Sequence, residues 1–169
     1  MKTIAQRCSV LLVAAGFAVQ LAWAQPFEKV FVDRTLRIDY YHTGTKGTES
    51  ISLDKLYDEG PWSGSLVNLI DTLNLGEYAV RIYDQPTATL VFSRGYSSVF
   101  NEWQSTDESL AGILRTFHET VRIPLPKRKI QMTISRRDKA MNLHEVFSTV
   151  IDPTSATEVN RERLLAPFK

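Results

Sequence analysis

The chain has 169 residues, with 20 Lys and Arg against 19 Asp and Glu, and a formal net charge of +1. Its basic runs, Lys127-Arg128-Lys129 and Arg136-Arg137, are too short for the basic footprint that nucleic-acid binding requires, so that class is set aside. The single cysteine, Cys8, stands near the start, which leaves the rest without disulfide or thiolate chemistry.

Lys2 and Arg7 precede an apolar run from Val10 to Leu21, and Ala22-Trp23-Ala24 closes it. A charged leader, a short hydrophobic segment and an A-x-A site form a signal peptide over 1–24, cleaved after Ala24. The run is shorter than the roughly 20 residues a membrane span needs. The mature chain is therefore expected to be secreted, periplasmic or cell-surface, and not embedded in a membrane. Loss of Lys2 and Arg7 leaves 18 basic residues against 19 acidic ones. Without disulfides, the exported domain must rely on its own hydrophobic core, and 145 residues suffice for one.

Period-two alternation dominates the mature chain. Leu36, Ile38 and Tyr40 alternate with Arg37, Asp39 and Tyr41, the pattern of a strand with one face buried. Leu66, Ile70 and Leu73 fall at helical spacing with Gly76 as a stop, yet equally suit an ordered loop pinned by apolar plugs. Tyr78, Val80 and Ile82 mark a strand, Asp84-Gln85-Pro86-Thr87 a hairpin connection, and Leu90 and Phe92 the returning strand. Thr106 or Asp107 caps a short turn through Leu110, Ile113 and Leu114, which Gly112 weakens. Ile130, Met132 and Ile134 give the cleanest alternation, and a last helical stretch is expected over Ser155–Leu165. Many short strands punctuated by Gly and Pro predict an all-β fold, an antiparallel sandwich or jelly roll with one or two short helices. The domain is expected over 25–153, with a tail or linker over 154–169.

The densest stretch is Ser93-Arg94-Gly95-Tyr96-Ser97-Ser98-Val99-Phe100-Asn101-Glu102-Trp103-Gln104-Ser105-Thr106, with three aromatics within eight positions. Around it, in order, stand Thr35-Leu36-Arg37-Ile38-Asp39-Tyr40-Tyr41-His42-Thr43-Gly44, Trp62-Ser63-Gly64-Ser65, Asn68-Leu69-Ile70-Asp71, Gly76-Glu77-Tyr78, Phe117-His118-Glu119, Pro124-Leu125-Pro126-Lys127 and Ile151-Asp152-Pro153. This ordered set resembles the N-terminal, non-catalytic domain of secreted zinc metallopeptidases of the immunoglobulin A peptidase family. The resemblance implies an accessory role beside a peptidase domain, in cis or in trans, which in that family begins shortly after such a position. Zinc and hydrolysis would then belong to that partner, and no cofactor is implied for the residues present here.

The segment His118-Glu119-Thr120-Val121-Arg122 imitates the H-E-x-x-H zinc motif but carries Arg122, a cation, where the second imidazole should be. Phe117, Glu119, Val121 and Ile123 alternate with their neighbours, so the segment is a strand and the helical geometry fails. Glu119 shares the apolar face, and a buried carboxylate needs a cation, for which Arg94 and Arg115 are the candidates. His42, His118 and His144 carry no ligand spacing, and no nucleophile motif or phosphate loop occurs. The candidate binding surface is instead aromatic and polar: Tyr41 and Tyr83 on wet strand faces, Trp62 and Trp103 in loops, and Asn101, Glu102 and Gln104 beside Trp103. Flat rings with amide and carboxylate neighbours suit sugars, so a stand-alone module binding extracellular glycan or protein is the alternative. The competing expectation is that the tryptophans plug the ends of the sandwich.

Overall fold

A computed structural model describes residues 26–161; the leader expected over 1–24 and residues 162–169 lie outside the described residues. A turn of helix, α1 (Phe27–Val30), leads into β1 (Phe31–Thr45), which returns as β2 (Thr48–Asp58). A long loop then reaches β3 (Tyr78–Asp84) and β4 (Thr89–Tyr96), followed by α2 (Val99–Trp103) and α3 (Asp107–Leu110). The chain closes with β5 (Arg115–Pro126), β6 (Ile130–Arg137), β7 (Leu143–Ile151) and β8 (Val159–Arg161). Two four-stranded sheets result, ordered β5-β1-β2-β8 and β4-β3-β6-β7. All pairs are antiparallel except β2 with β8, so the fold is the expected all-β sandwich, with three short helices among the described residues.

The alternation seen in sequence becomes the core. Leu36 and Ile38 of β1, Ile82 of β3, Ile123 of β5 and Met132 and Ile134 of β6 are fully buried between the sheets. Each contributes about 1.5–3 kcal/mol by leaving water, which is what a domain without disulfides requires. Asp84 and Thr87 turn β3 into β4 as expected, with the Thr87 amide donating to the Asp84 carbonyl. Ser98 and Thr106 cap α2 and α3 through their side-chain oxygens.

Of the two readings of residues 66–73 the loop is the one found, and it is Leu69 that plugs the core, while Leu66 and Leu73 are exposed. The helix expected over Ser155–Leu165 is corrected over 155–161, which form turns and then β8, whose Val159 is buried beside Leu56, so part of the expected tail belongs to the sandwich; its remainder lies outside the described residues. The turn capped by Thr106 is present as α3, of which only Ser109 is buried, and Leu110, Ile113 and Leu114 face solvent.

The loop from Glu59 to Glu77 has a structural task. β4 is an edge strand, and an unpaired edge is a liability. Here the Ser93 amide donates to the Leu69 carbonyl and the Gly95 amide to the Asp71 carboxylate at 2.8 Å, so the loop covers the edge. Gly95 permits this approach, because a Cβ there would stand 1.8 Å from the Leu75 carbonyl oxygen.

Candidate functional site

His42 continues the inward phase of Leu36, Ile38 and Tyr40, and is buried at 1% exposure between the sheets. Its Nε2 donates to Glu49 of β2 at 2.8 Å and its Nδ1 to Glu119 of β5 at 3.1 Å. With a carboxylate on each ring nitrogen, both nitrogens carry protons and the ring is an imidazolium. Glu49 also accepts from the Tyr78 hydroxyl at 2.8 Å and from Arg136 of β6 at 3.0 Å, while Glu119 accepts the Phe100 amide at 3.2 Å. Phe100 stacks on the imidazole at 3.8 Å between ring centres, and Tyr78 meets it edge-on. Tyr40 and Tyr96 hydroxyls bond to each other beside the group.

Two cations and two carboxylates thus balance inside the sandwich. Burial opposes the charge on His42, but its bonds to Glu119 and Glu49 outweigh that and raise its pKa. Burial likewise resists ionising Glu49 and Glu119, and the donors around them win and lower both. Burial first, and then the neighbouring charges, raise the Tyr78 and Tyr40 hydroxyls, which stay protonated as donors. His42 is out of reach of any substrate, so the cluster acts as an electrostatic fastening between sheets.

Glu119 is part-buried as expected, but its partner is His42, which corrects the expected pairing with Arg94 or Arg115. Arg115 instead meets Glu108 at the surface, where β5 begins near α3. Arg94 is exposed on β4 and opens into a cleft. Sequence reasoning missed the roles of His42, Glu49, Tyr78 and Arg136. The available signal was phase: a histidine two residues beyond Leu36, Ile38 and Tyr40 had to face the core.

The expected aromatic and polar residues do not form one surface. Tyr41 is exposed on the outer face of β1 beside His118, at 5.1 Å between rings. Tyr83 is half-buried on β3, in the other sheet. Asn101 is half-buried and Glu102 exposed on α2, but Trp103 and Gln104 are buried, correcting their placement on a binding surface. Trp103 packs against Phe100 and Phe117, and Gln104 donates to the Thr45 carbonyl, so this end of the stretch is a plug. Trp62 is half-buried and lines a cleft of about 470 Å³ with Asn68, Asp71, Phe92 and Arg94.

The His118-to-Arg122 segment lies in β5, so its side chains alternate between the two faces of the sheet. His118 points outward toward Asp54 at 3.2 Å, Glu119 points inward, and Arg122 bonds Glu59. Among the described residues, no group of three or more His, Cys, Asp or Glu side chains is placed to hold a metal ion.

A family model described as Peptidase M64 N-terminus matches residues 26–148, from the residue before α1 into β7. The match spans most of the chain, and the chain belongs to that family. No curated protein matches it.

Proposed function

We propose that this Peptidase M64 N-terminal domain is an exported, non-catalytic module that supports a zinc-peptidase domain or positions substrate for it. The observation that carries the reading is the family match over both sheets, from 26 to 148, combined with the strand geometry of the His118-to-Arg122 segment. The chemistry would be supplied by a catalytic domain of the same family, joined in cis or bound in trans. The charged leader and the A-x-A site ending at Ala24 support export.

The test is a thermal melt of the chain with and without a separately produced M64 peptidase domain, alongside co-purification and the peptidase rate. A raised Tm with co-purification supports docking, since a partner that binds only the folded state stabilises it by mass action. An unchanged Tm, no co-purification and an unchanged rate would sink the accessory role. Export is checked separately by sequencing the N-terminus of the extracytoplasmic protein, which should begin at Gln25.

A second reading, a stand-alone module for glycan or protein, is favoured by the Glu59–Glu77 loop. It leaves Val67, Leu73 and Leu75 between 66% and 78% exposed beside the Trp62 cleft, and clustered exposed apolar side chains mark interaction sites.

A further inference from the structure

The cleft opens where the Glu59–Glu77 loop stands off from β4, and its volume of about 470 Å³ suits a small ligand. Trp62 is held there by three contacts. Its Nε1 donates to the Ser65 carbonyl at 3.2 Å, and its ring meets the Phe92 ring edge-on at 6.0 Å. Gly64 lies so close that a Cβ would fall 2.3 Å from the indole. The indole is thereby fixed yet only half-buried, so a ligand meets a flat surface already ordered.

The cleft carries one cation, Arg94, and one carboxylate, Asp71. Arg94 pairs across the sheet with Val80, which is buried, so it occupies an inward register position yet is exposed. An arginine there opens into the cleft where an apolar side chain would close it. The other charged lining residue, Asp71, is already engaged: Oδ2 accepts from the Gly95 amide and Oδ1 from the Leu73 and Asn74 amides. Among the described residues, the side chains of Asn68, Thr72 and Arg94 make no hydrogen bond, so an amide, a hydroxyl and a guanidinium remain available. The amides of Ser93 and Gly95 are taken by the loop, so a peptide cannot add to them as a further strand.

We propose that this cleft binds an acidic saccharide, a pyranose bearing a carboxylate. The sugar ring lies against Trp62, its hydroxyls meet Asn68 and Thr72, and its carboxylate pairs with Arg94. Arginine recognises a carboxylate through two parallel N–H bonds, which a neutral sugar cannot match. The proposal goes beyond the accessory role and does not depend on it.

The experiment is a titration of the isotope-labelled full chain, followed at the Trp62 indole N–H. The probes are methyl glucuronide, the methyl glycoside of N-acetylneuraminic acid, neutral methyl glucoside and an apolar peptide ending in a free carboxylate. At least one acidic sugar should shift the resonance with a Kd on the order of 1 mM, and the neutral glucoside should bind at least about tenfold more weakly. The two acid probes separate a uronate from a sialate source. Arg94→Gln should weaken binding at least about tenfold, with partial recovery in Arg94→Lys; both are exposed substitutions that leave the fold intact. No shift with either acid, equal binding of the neutral glucoside, preference for the peptide, or full affinity in Arg94→Gln would each overturn the proposal.

Discussion

Replacing Glu119 by Gln removes one carboxylate from the buried cluster while keeping its size. The amide oxygen still accepts the Phe100 amide, which turns the amide N–H₂ toward His42 Nδ1, and two donors then face each other. His42 relieves this by shedding its Nδ1 proton, so that Nδ1 accepts from the amide while Nε2 still donates to Glu49. Losing one partner of a buried ion pair costs about 3–5 kcal/mol when the other charge cannot be removed. Because an imidazole can neutralise, the cost near neutral pH is nearer that of a charged hydrogen bond, about 2–3 kcal/mol. For a domain of this size that lowers Tm by roughly 6–12 °C.

The pH dependence gives the sharper readout. The raised pKa of His42 stabilises the fold fully below its ordinary value near 6.5, and this stabilisation is lost as pH rises through the folded value. The lowered pKa values of Glu49 and Glu119 stabilise above about 4.5, and are lost as pH falls through the folded values. The cluster therefore contributes most between about pH 4.5 and 6.5. Melts of parent and Glu119→Gln should differ more at pH 5.5 than at pH 8, while sugar binding in the Trp62 cleft stays unchanged. Equal Tm values, or a difference that grows toward pH 8, would refute the assignment. Retained stability with lost binding would do so as well.

Gly95→Ala places a Cβ against the Leu75 carbonyl, and should cost about 2–3 kcal/mol and expose residues 61–77 to limited proteolysis. Arg137 is buried at 5% and donates to the carbonyls of Asn74, Gly76 and Met141 and to the Asn74 side chain. Arg137→Met strands those acceptors; a loss of about 3 kcal/mol is expected, with faster amide exchange over 74–77. Trp103→Phe should cost about 1–2 kcal/mol in denaturant unfolding, from packing against Phe100 and Phe117 alone, because the buried indole Nε1 has no partner among the described residues. A larger loss would mean that the indole N–H is bonded.

The strands legible in sequence are those whose alternation is unbroken: β1, β3, β4, β5 and β6. β2 is hidden because its apolar residues Ile51, Leu53 and Leu56 change spacing from two to three, opposite the bulge between Asp39 and Tyr40. β7 is an edge strand whose pairing with β6 shifts between Ile134 and Ser135, so Val146 and Phe147 are half-buried side by side and no period appears. β8 is three residues long and is fixed by pairing with β2, a contact about 100 residues distant in sequence. Of the polar cluster, Glu119 is legible from its phase. Its partner is not, because Tyr40 and His42 reach Glu119 and Glu49 only through strand pairing.

That dependence on pairing explains why the sandwich keeps charges where aliphatic residues would pack. A slip of one residue between β1 and β5 turns an entire strand face outward. In an all-aliphatic face such a slip costs burial but leaves no group in an impossible place. Here the same slip would carry His42 to solvent and leave Glu49 and Glu119 buried without a cation between them, at a cost of several kcal/mol. The cluster lies beside the β1–β2 hairpin, away from the central aliphatic layers, and Arg136 and Tyr78 extend it into the opposite sheet. Trp62 stands in the loop that leaves the other end of β2. The polar group that is sealed thus penalises other registers of the strands, and the polar groups left open stand in the loop that those strands hold in place.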